Sequence, residues 1–318
     1  MFDYQKAPYL ELDTYKAPKG IKCIYIPMQD NYRIRLAYWK SIPPSTPSRG
    51  VVLLQQGHNE FIEKYFETIQ ELIDRNFDVI SFDWRGQGLS DRMIDNKHKQ
   101  YIEDFSIHDK DLEFILNKFI KVNFSGPLIA FGHSMGGCLV LSSLPRLHTE
   151  FNLVILSAPM LGFKNEMILN MVLNMANLLL PSKKYFPGSR PNMGLETPFE
   201  DNDLTSDYDR YTRTQKLVRI QPEIRLWGVT IAWVNAVNKR LNHMRKPKWA
   251  EKIKSDILII NSLKDRVVCS NKIYEMYKRL PNSQIINFSN AEHEVLMETD
   301  DIRREFWIKF DEFINKLP

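Results

Sequence analysis

The segment Pro127–Gly137, Pro-Leu-Ile-Ala-Phe-Gly-His-Ser-Met-Gly-Gly, constrains the fold more than any other stretch of this chain. A short apolar run ends in Gly132-x-Ser134-x-Gly136 and a helical pattern follows at once, so Ser134 falls where a strand turns sharply into a helix. Glycines at 132 and 136 leave room for that turn. A serine hydroxyl is a weak nucleophile at neutral pH, and a turn of this kind holds it clear of the strand end, where a base can reach it. The same geometry would also suit a glycine-rich turn with an inert serine, so the rest of the chain has to decide.

In the architecture built on such a turn, the partner groups arrive in the order Ser, then Asp or Glu, then His. Residues 255–262, Ser-Asp-Ile-Leu-Ile-Ile-Asn-Ser, read as a buried strand, and Asp265 follows its end in Leu-Lys-Asp-Arg-Val-Val. Asp256 stands at the wrong end of that strand. A further strand at Ser283–Phe288 leads to Ser-Asn-Ala-Glu-His293-Glu, and a helical pattern begins near Asp300. His293 is the only histidine after Asp265; His58, His98, His108, His133, His148 and His243 all precede the acid. The candidate catalytic set is therefore Ser134, Asp265 and His293.

Strand and helix patterns alternate, as a mostly parallel sheet requires. Strands are expected near 21–27, 33–40, 51–55, 78–82, 127–131, 152–157, 256–262 and 284–288, and helices near 60–75, 104–122, 135–147, 270–280 and 300–316. Ser41–Arg49, rich in Pro and Ser, reads as a surface loop. With 318 residues and 43% hydrophobic content, the chain can bury the core of one large domain with an insertion. The three cysteines, Cys23, Cys138 and Cys269, are odd in number and widely spaced with no metal-ligand spacing, and Cys138 reads as a helix-packing residue. The opening residues lack the basic start and apolar stretch of a secretory signal, and no run of about 18 apolar residues exists. A cytoplasmic protein is expected. In Phe82–Ser90, Asp-Trp-Arg-Gly-Gln-Gly-Leu-Ser lacks the spacing of a nucleotide-binding loop and reads as a structural turn with Asp83 and Arg85 paired locally.

Between the strands ending near Ser157 and beginning at Asp256 lies an insertion too long for an ordinary crossover. Its first helix, Asn165–Leu180, carries Glu166, Asn170, Asn174 and Asn177 on one narrow stripe and Met or aliphatic residues almost everywhere else. Two readings stay open: the helix is sandwiched within the insertion, or Met167, Met171 and Met175 line a pocket for an acyl chain. Farther on, Arg210, Arg213, Lys216, Arg219, Arg225, Lys239, Arg240, Arg245, Lys246 and Lys248 face the single acid Glu223, just after an acidic stretch from Glu196 to Asp209. That basic stretch is either a solvated face or a surface meeting anionic membrane lipid. Nucleic acid is disfavoured, because no recognised binding module surrounds the charges.

Five segments together resemble the α/β-hydrolases of the monoglyceride lipase and bacterial lysophospholipase group: Gln56–Tyr65, Phe82–Ser90, Gly132–Gly137, Asp265–Val268 and His293–Glu298. They span nearly the whole chain. One departure is Gln56-Gly57, where many members have His-Gly. The resemblance implies a mostly parallel eight-stranded sheet with helices on both faces, a core of residues 1–160 and 251–318, and a helical cap of residues 161–250. It also implies a serine hydrolase without metal or cofactor that cleaves esters of single-acyl-chain lipids, with small esters or peptides, or non-catalytic lipid binding, as alternatives. The oxyanion donors would be the backbone N–H of His58, mapped from the family, and of Met135, the residue after the nucleophile. The expected partners are a lipid ester and, through the cap, an anionic inner membrane face; oligomeric state is left open.

Overall fold

The computed structural model describes residues 4–41, 47–189 and 197–317. Glu196 of the acidic stretch and residues 42–46 of the Pro/Ser loop lie outside the described residues. The strands are β1 (Gln5–Lys6), β2 (Lys22–Pro27), β3 (Arg33–Trp39), β4 (Val51–Gln55), β5 (Asp78–Phe82), β6 (Lys99–Gln100), β7 (Leu128–His133), β8 (Leu153–Ser157), β9 (Gly228–Val229), β10 (Asp256–Ser262) and β11 (Ser283–Phe288). Nine form one sheet in the order β1-β2-β3-β5-β4-β7-β8-β10-β11, and β6 pairs with β9 apart from it. The sheet thus has one strand more than the eight expected. The addition is β1, two residues paired antiparallel to β2 and too short to show any alternation.

From β5 to β11 the neighbours run parallel, whereas β1, β2 and β3 are antiparallel. Every residue of β4, β5, β7 and β8 is buried, as expected of strands covered on both faces. One cover consists of α2 (Ser106–Ile115), which continues through a π-helical turn into α3 (Lys121–Asn123), with α4 (Ser134–Leu147) and α8 (Ser270–Tyr277). The other consists mainly of α1 (Phe66–Asp74) and α9 (Asp300–Ile314), whose Phe306 and Phe310 pack on Phe131 of β7.

Between β8 and β10 the chain leaves the sheet for α5 (Glu166–Leu179), α6 (Tyr208–Ile220), β9 and α7 (Ile231–Met244). Much of the basic stretch holds this insertion to the rest of the molecule. Arg210 pairs with Glu67, Asp207 and Asp300 at 2.6–2.8 Å, Arg213 with Glu67 at 2.7 Å and Arg240 with Asp109 at 2.7 Å. Lys239 pairs with Asp104, and Arg245 with Glu166 at 2.7 Å. Lys216, Arg219, Lys246 and Lys248 have no carboxylate partner among the described residues.

The Phe82–Ser90 turn is structural, but its pairing is not local. Asp83 meets Arg35 at 2.7 Å and accepts the N–H of Leu89 and Ile62, while Arg85 pairs with Asp111 and Asp30, both at 2.6 Å. Gly88 has φ +50°, and a Cβ there would collide with the Asp83 carboxylate, so the turn closes only around a glycine.

Candidate active site

Ser134 has φ 49°, in the left-handed region, at the junction of β7 and α4. Its neighbours make that strained turn fit. A Cβ on Gly132 would lie 2.7 Å from the Gly137 backbone, and one on Gly136 would lie 2.5 Å from the carbonyl oxygens of Gln55 and Gln56. The side chain therefore leaves the sheet at the carboxyl ends of β4, β7, β10 and β11, where the following loops converge.

Those loops bring the three sequence candidates together. His293 Nε2 lies 3.0 Å from Ser134 Oγ, and His293 Nδ1 lies 2.6 Å from Asp265 Oδ2. The other Asp265 oxygen accepts the N–H of Val267 at 2.7 Å and of Val268 at 2.9 Å, which fixes the carboxylate. All three side chains are buried. Burial alone would lower the His293 pKa, but the hydrogen bond and charge of Asp265, with help from Glu294 and Glu60, raise it above the ordinary histidine value. For Asp265 burial acts upward, and the His293 hydrogen bond and charge outweigh it and hold the carboxyl below its usual range.

The two candidate oxyanion donors flank the serine. A Cβ on Gly57 would lie 3.0 Å from Ser134 Cβ, so the turn after β4 packs directly on Ser134, and His58 is next in chain. The His58 backbone N–H has no acceptor among the described residues. Met135 is the second residue of α4, whose first-turn N–H groups have no acceptor within the helix.

A buried network beside this set escaped the sequence reading. Glu60 accepts from the Gly57 N–H, from Lys64 Nζ at 2.6 Å and from the Tyr65 hydroxyl at 2.7 Å, and Lys64 reaches Glu294 at 2.5 Å. The turn that carries His58 is thereby tied to the residue after His293. Burial opposes charge on all three groups. Even so, Glu294 and Glu60 keep Lys64 above its ordinary pKa and Lys64 keeps Glu60 below its own, whereas burial leaves Glu294 above its own. Glu60 and Lys64 stand at helical i,i+4 spacing inside the Gln56–Tyr65 segment, a visible signal; the partner at 294 has no local trace. Glu60, Glu294 and His133 are the one grouping of potential metal ligands among the described residues, but the Lys64 ammonium already stands between the two carboxylates. Burial lowers His133 to about 3, which keeps it neutral.

One cavity adjoins the serine, and a second meets the first at Val267. The first, of about 190 Å³, is lined by Ser134, His293, His58, Lys64, Glu294 and Arg225, among others. The second, of about 340 Å³, runs between α5 and α7, past Leu169, Phe186, Trp233, Val234 and Leu241. Met167, Met171 and Met175 do not line either cavity. They lie on the outer face of α5, 83%, 58% and 56% exposed, alongside Ile168, Leu178 and Leu179. The helix turns its other side inward: Glu166 pairs with Arg245, Leu169 faces the cavity, Leu173 and Ala176 are buried, and Asn177 exchanges hydrogen bonds with Asn235 of α7. Residues 167, 171 and 175 recur every four positions and so share one face, and here that face points to solvent, which corrects both sequence readings of the helix.

The fold and this arrangement define an α/β-hydrolase. Residues 46–300 match the model of the family described as serine aminopeptidase, S33, and the chain belongs to that family. Over 284 residues it is 28% identical to the probable lysophospholipase L2 of Haemophilus influenzae, spanning 89% of each chain. It is 26% identical to lysophospholipase L2 of Escherichia coli K12, over 84% of this chain and 80% of that one. Among solved structures, a soluble variant of monoglyceride lipase from Saccharomyces cerevisiae, in complex with a substrate analog, superposes with a TM-score of 0.74 at 18% identity, covering 96% of this chain and 99% of that one.

Proposed function

We propose that the protein is a serine ester hydrolase acting on single-acyl-chain lipids, with Ser134 as nucleophile, His293 as base and Asp265 as its partner. The observation that carries this reading is the continuous contact from Ser134 Oγ through the His293 ring to Asp265, at 3.0 and 2.6 Å. Ser134 attacks the ester carbonyl while His293 Nε2 takes its proton, and Asp265 stabilises the imidazolium. The N–H groups of His58 and Met135 receive the oxyanion of the tetrahedral intermediate. His293 then returns the proton to the departing alcohol, leaving an acyl-enzyme that water hydrolyses by the same steps.

Residues 161–250 serve as the cap, and the acyl chain lies in the apolar cavity between α5 and α7, against Leu169 and Leu241 rather than the outer methionines. The outward face of α5 rests on the lipid from which the substrate is drawn, which makes the protein a peripheral membrane enzyme. The relatives named lysophospholipase and monoglyceride lipase support a lipid ester. The family description favours a second reading, cleavage of an amino-terminal peptide bond. Such an enzyme needs a free carboxylate for the substrate ammonium, and the two near the serine, Glu60 and Glu294, are both held by Lys64. Purified protein assayed on lysophospholipids, monoacylglycerols, aryl esters and aminoacyl amides separates the readings. Lipid ester turnover is expected, lost by about 10³-fold or more in Ser134→Ala. Cleavage of aminoacyl amides alone would refute the lipid reading.

A further inference from the structure

Arg225 stands in the cavity over Ser134 as a cation that the fold does not neutralise. The other cations of that cavity are engaged: Lys64 lies between Glu60 and Glu294, and Arg210 among Glu67, Asp207 and Asp300. Arg225 donates from Nη1 to the Gln215 side chain at 3.1 Å, and its buried Nε has no partner. No carboxylate among the described residues comes within ion-pair distance of it. Burial lowers its pKa, and only Tyr211 and Glu294 act through space to raise it. A half-buried guanidinium without an anion costs free energy, and the contacts of this segment hold its backbone beside the cavity.

The hold is on the backbone. Leu226 donates its N–H to the Asn59 side chain at 2.6 Å, and Trp227 donates to the His98 carbonyl at 2.8 Å while its ring stacks on the His98 ring at 3.6 Å. Asn59 follows His58, so Arg225 is fixed relative to the turn that would bind the oxyanion.

We propose that Arg225 receives the phosphate of the substrate's head group, so that the enzyme acts on lysophospholipids in preference to uncharged monoacylglycerols. This rests on the reading of Ser134 as the nucleophile of a lipid ester hydrolase. The planar guanidinium offers forked donors that match two phosphate oxygens, and the phosphate supplies the missing countercharge. An uncharged glyceride in the same place leaves the cation desolvated and unpaired, which is how a polar site rejects an analogue that lacks the recognised group.

The test compares two esters with the same palmitoyl chain, lysophosphatidylglycerol and monopalmitoylglycerol, in identical mixed micelles. Rates of the wild type, Arg225→Gln and Arg225→Lys are normalised to the sites a fluorophosphonate titrates, so that misfolded protein is not counted. The wild type should favour the phospholipid. In Arg225→Gln the ratio of kcat/KM for the two esters should fall about 10- to 100-fold, mostly through KM, the size of a lost charge-assisted pair. Arg225→Lys should keep part of the preference. Inorganic phosphate should compete with the phospholipid on the wild type and lose that effect in Arg225→Gln. An unchanged ratio, or equal loss on both esters, overturns the assignment and leaves the hydrolase reading standing. So does inhibition by free phosphate with the ratio unchanged, since the anion site would then not serve the head group. A titratable wild type that cleaves neither lipid overturns both.

Discussion

Lys64 holds two buried carboxylates together in the interior beside Ser134. Removing it leaves Glu60 and Glu294 buried without their shared cation, so Lys64→Met should destabilise the fold by about 3–5 kcal/mol, read as a lowered midpoint in denaturant. A variant as stable as the wild type would mean that water reaches those carboxylates. If His293 is the base, as proposed, its neutral form is the active one and Asp265 holds its pKa up, so kcat/KM should rise with pH through a single step above the ordinary histidine value of about 6.5. Asp265→Asn removes the raising influence and should shift that step downward while slowing turnover by about 10⁴-fold. A profile flat from pH 5 to pH 8 would count against a histidine base. The grouping of Ser134, Asp265 and His293 was legible in the sequence because each follows the end of a strand and their chain order is restricted. Arg85 was misread because a partner two residues away looked sufficient, whereas the fold brings the buried Asp111 and the exposed Asp30 to it from distant parts of the chain.

At the scale of elements, α5 shows where sequence periodicity stops being informative. Its bounds were read to within a residue at each end, yet its facing was not, because a helix apolar on most sides gives no preference for which side turns inward. Contacts that the sequence does not display make the choice, chiefly Glu166 with Arg245 and Asn177 with Asn235. The two faces should therefore respond differently to the same substitution. Leu169→Asp should impair turnover of long-chain esters while sparing a short soluble ester. Met171→Asp with Met175→Asp should leave the short ester untouched and weaken sedimentation with lipid vesicles. That binding should persist at 1 M salt, where the Debye length is about 3 Å, because Arg240 and Arg245 are committed to Asp109 and Glu166. Vesicle binding abolished by salt would return the role to the unpaired Lys216, Arg219, Lys246 and Lys248.

For the whole molecule, the alternation of strand and helix was enough to place the sheet, and the two-residue β1 was too short to register. Stability should carry the mark of the buried His108 and His133 and of the half-buried His58. Burial holds His108 at about 3, His133 at about 3 and His58 at about 4. The unfolded chain takes up protons at these sites below about pH 6.5, and the folded chain does not until far lower, so their stabilisation is present above that pH and declines as the pH falls. His293, with its raised pKa, acts in the opposite sense: its contribution is present below about 6.5 and is lost as the pH rises through the folded value. His108 packs between Trp84 and Phe105 with both ring nitrogens unpartnered, so His108→Phe should narrow the gap between Tm at pH 7 and at pH 5. An unchanged gap would remove that residue from the account. The bond from Leu226 to Asn59 has a consequence for the timing of the cycle. Were this strap to lift for the alcohol to leave, the Asn59 tether beside His58 would be lost with it, and the proposed oxyanion turn would have to re-form before the next ester is cleaved.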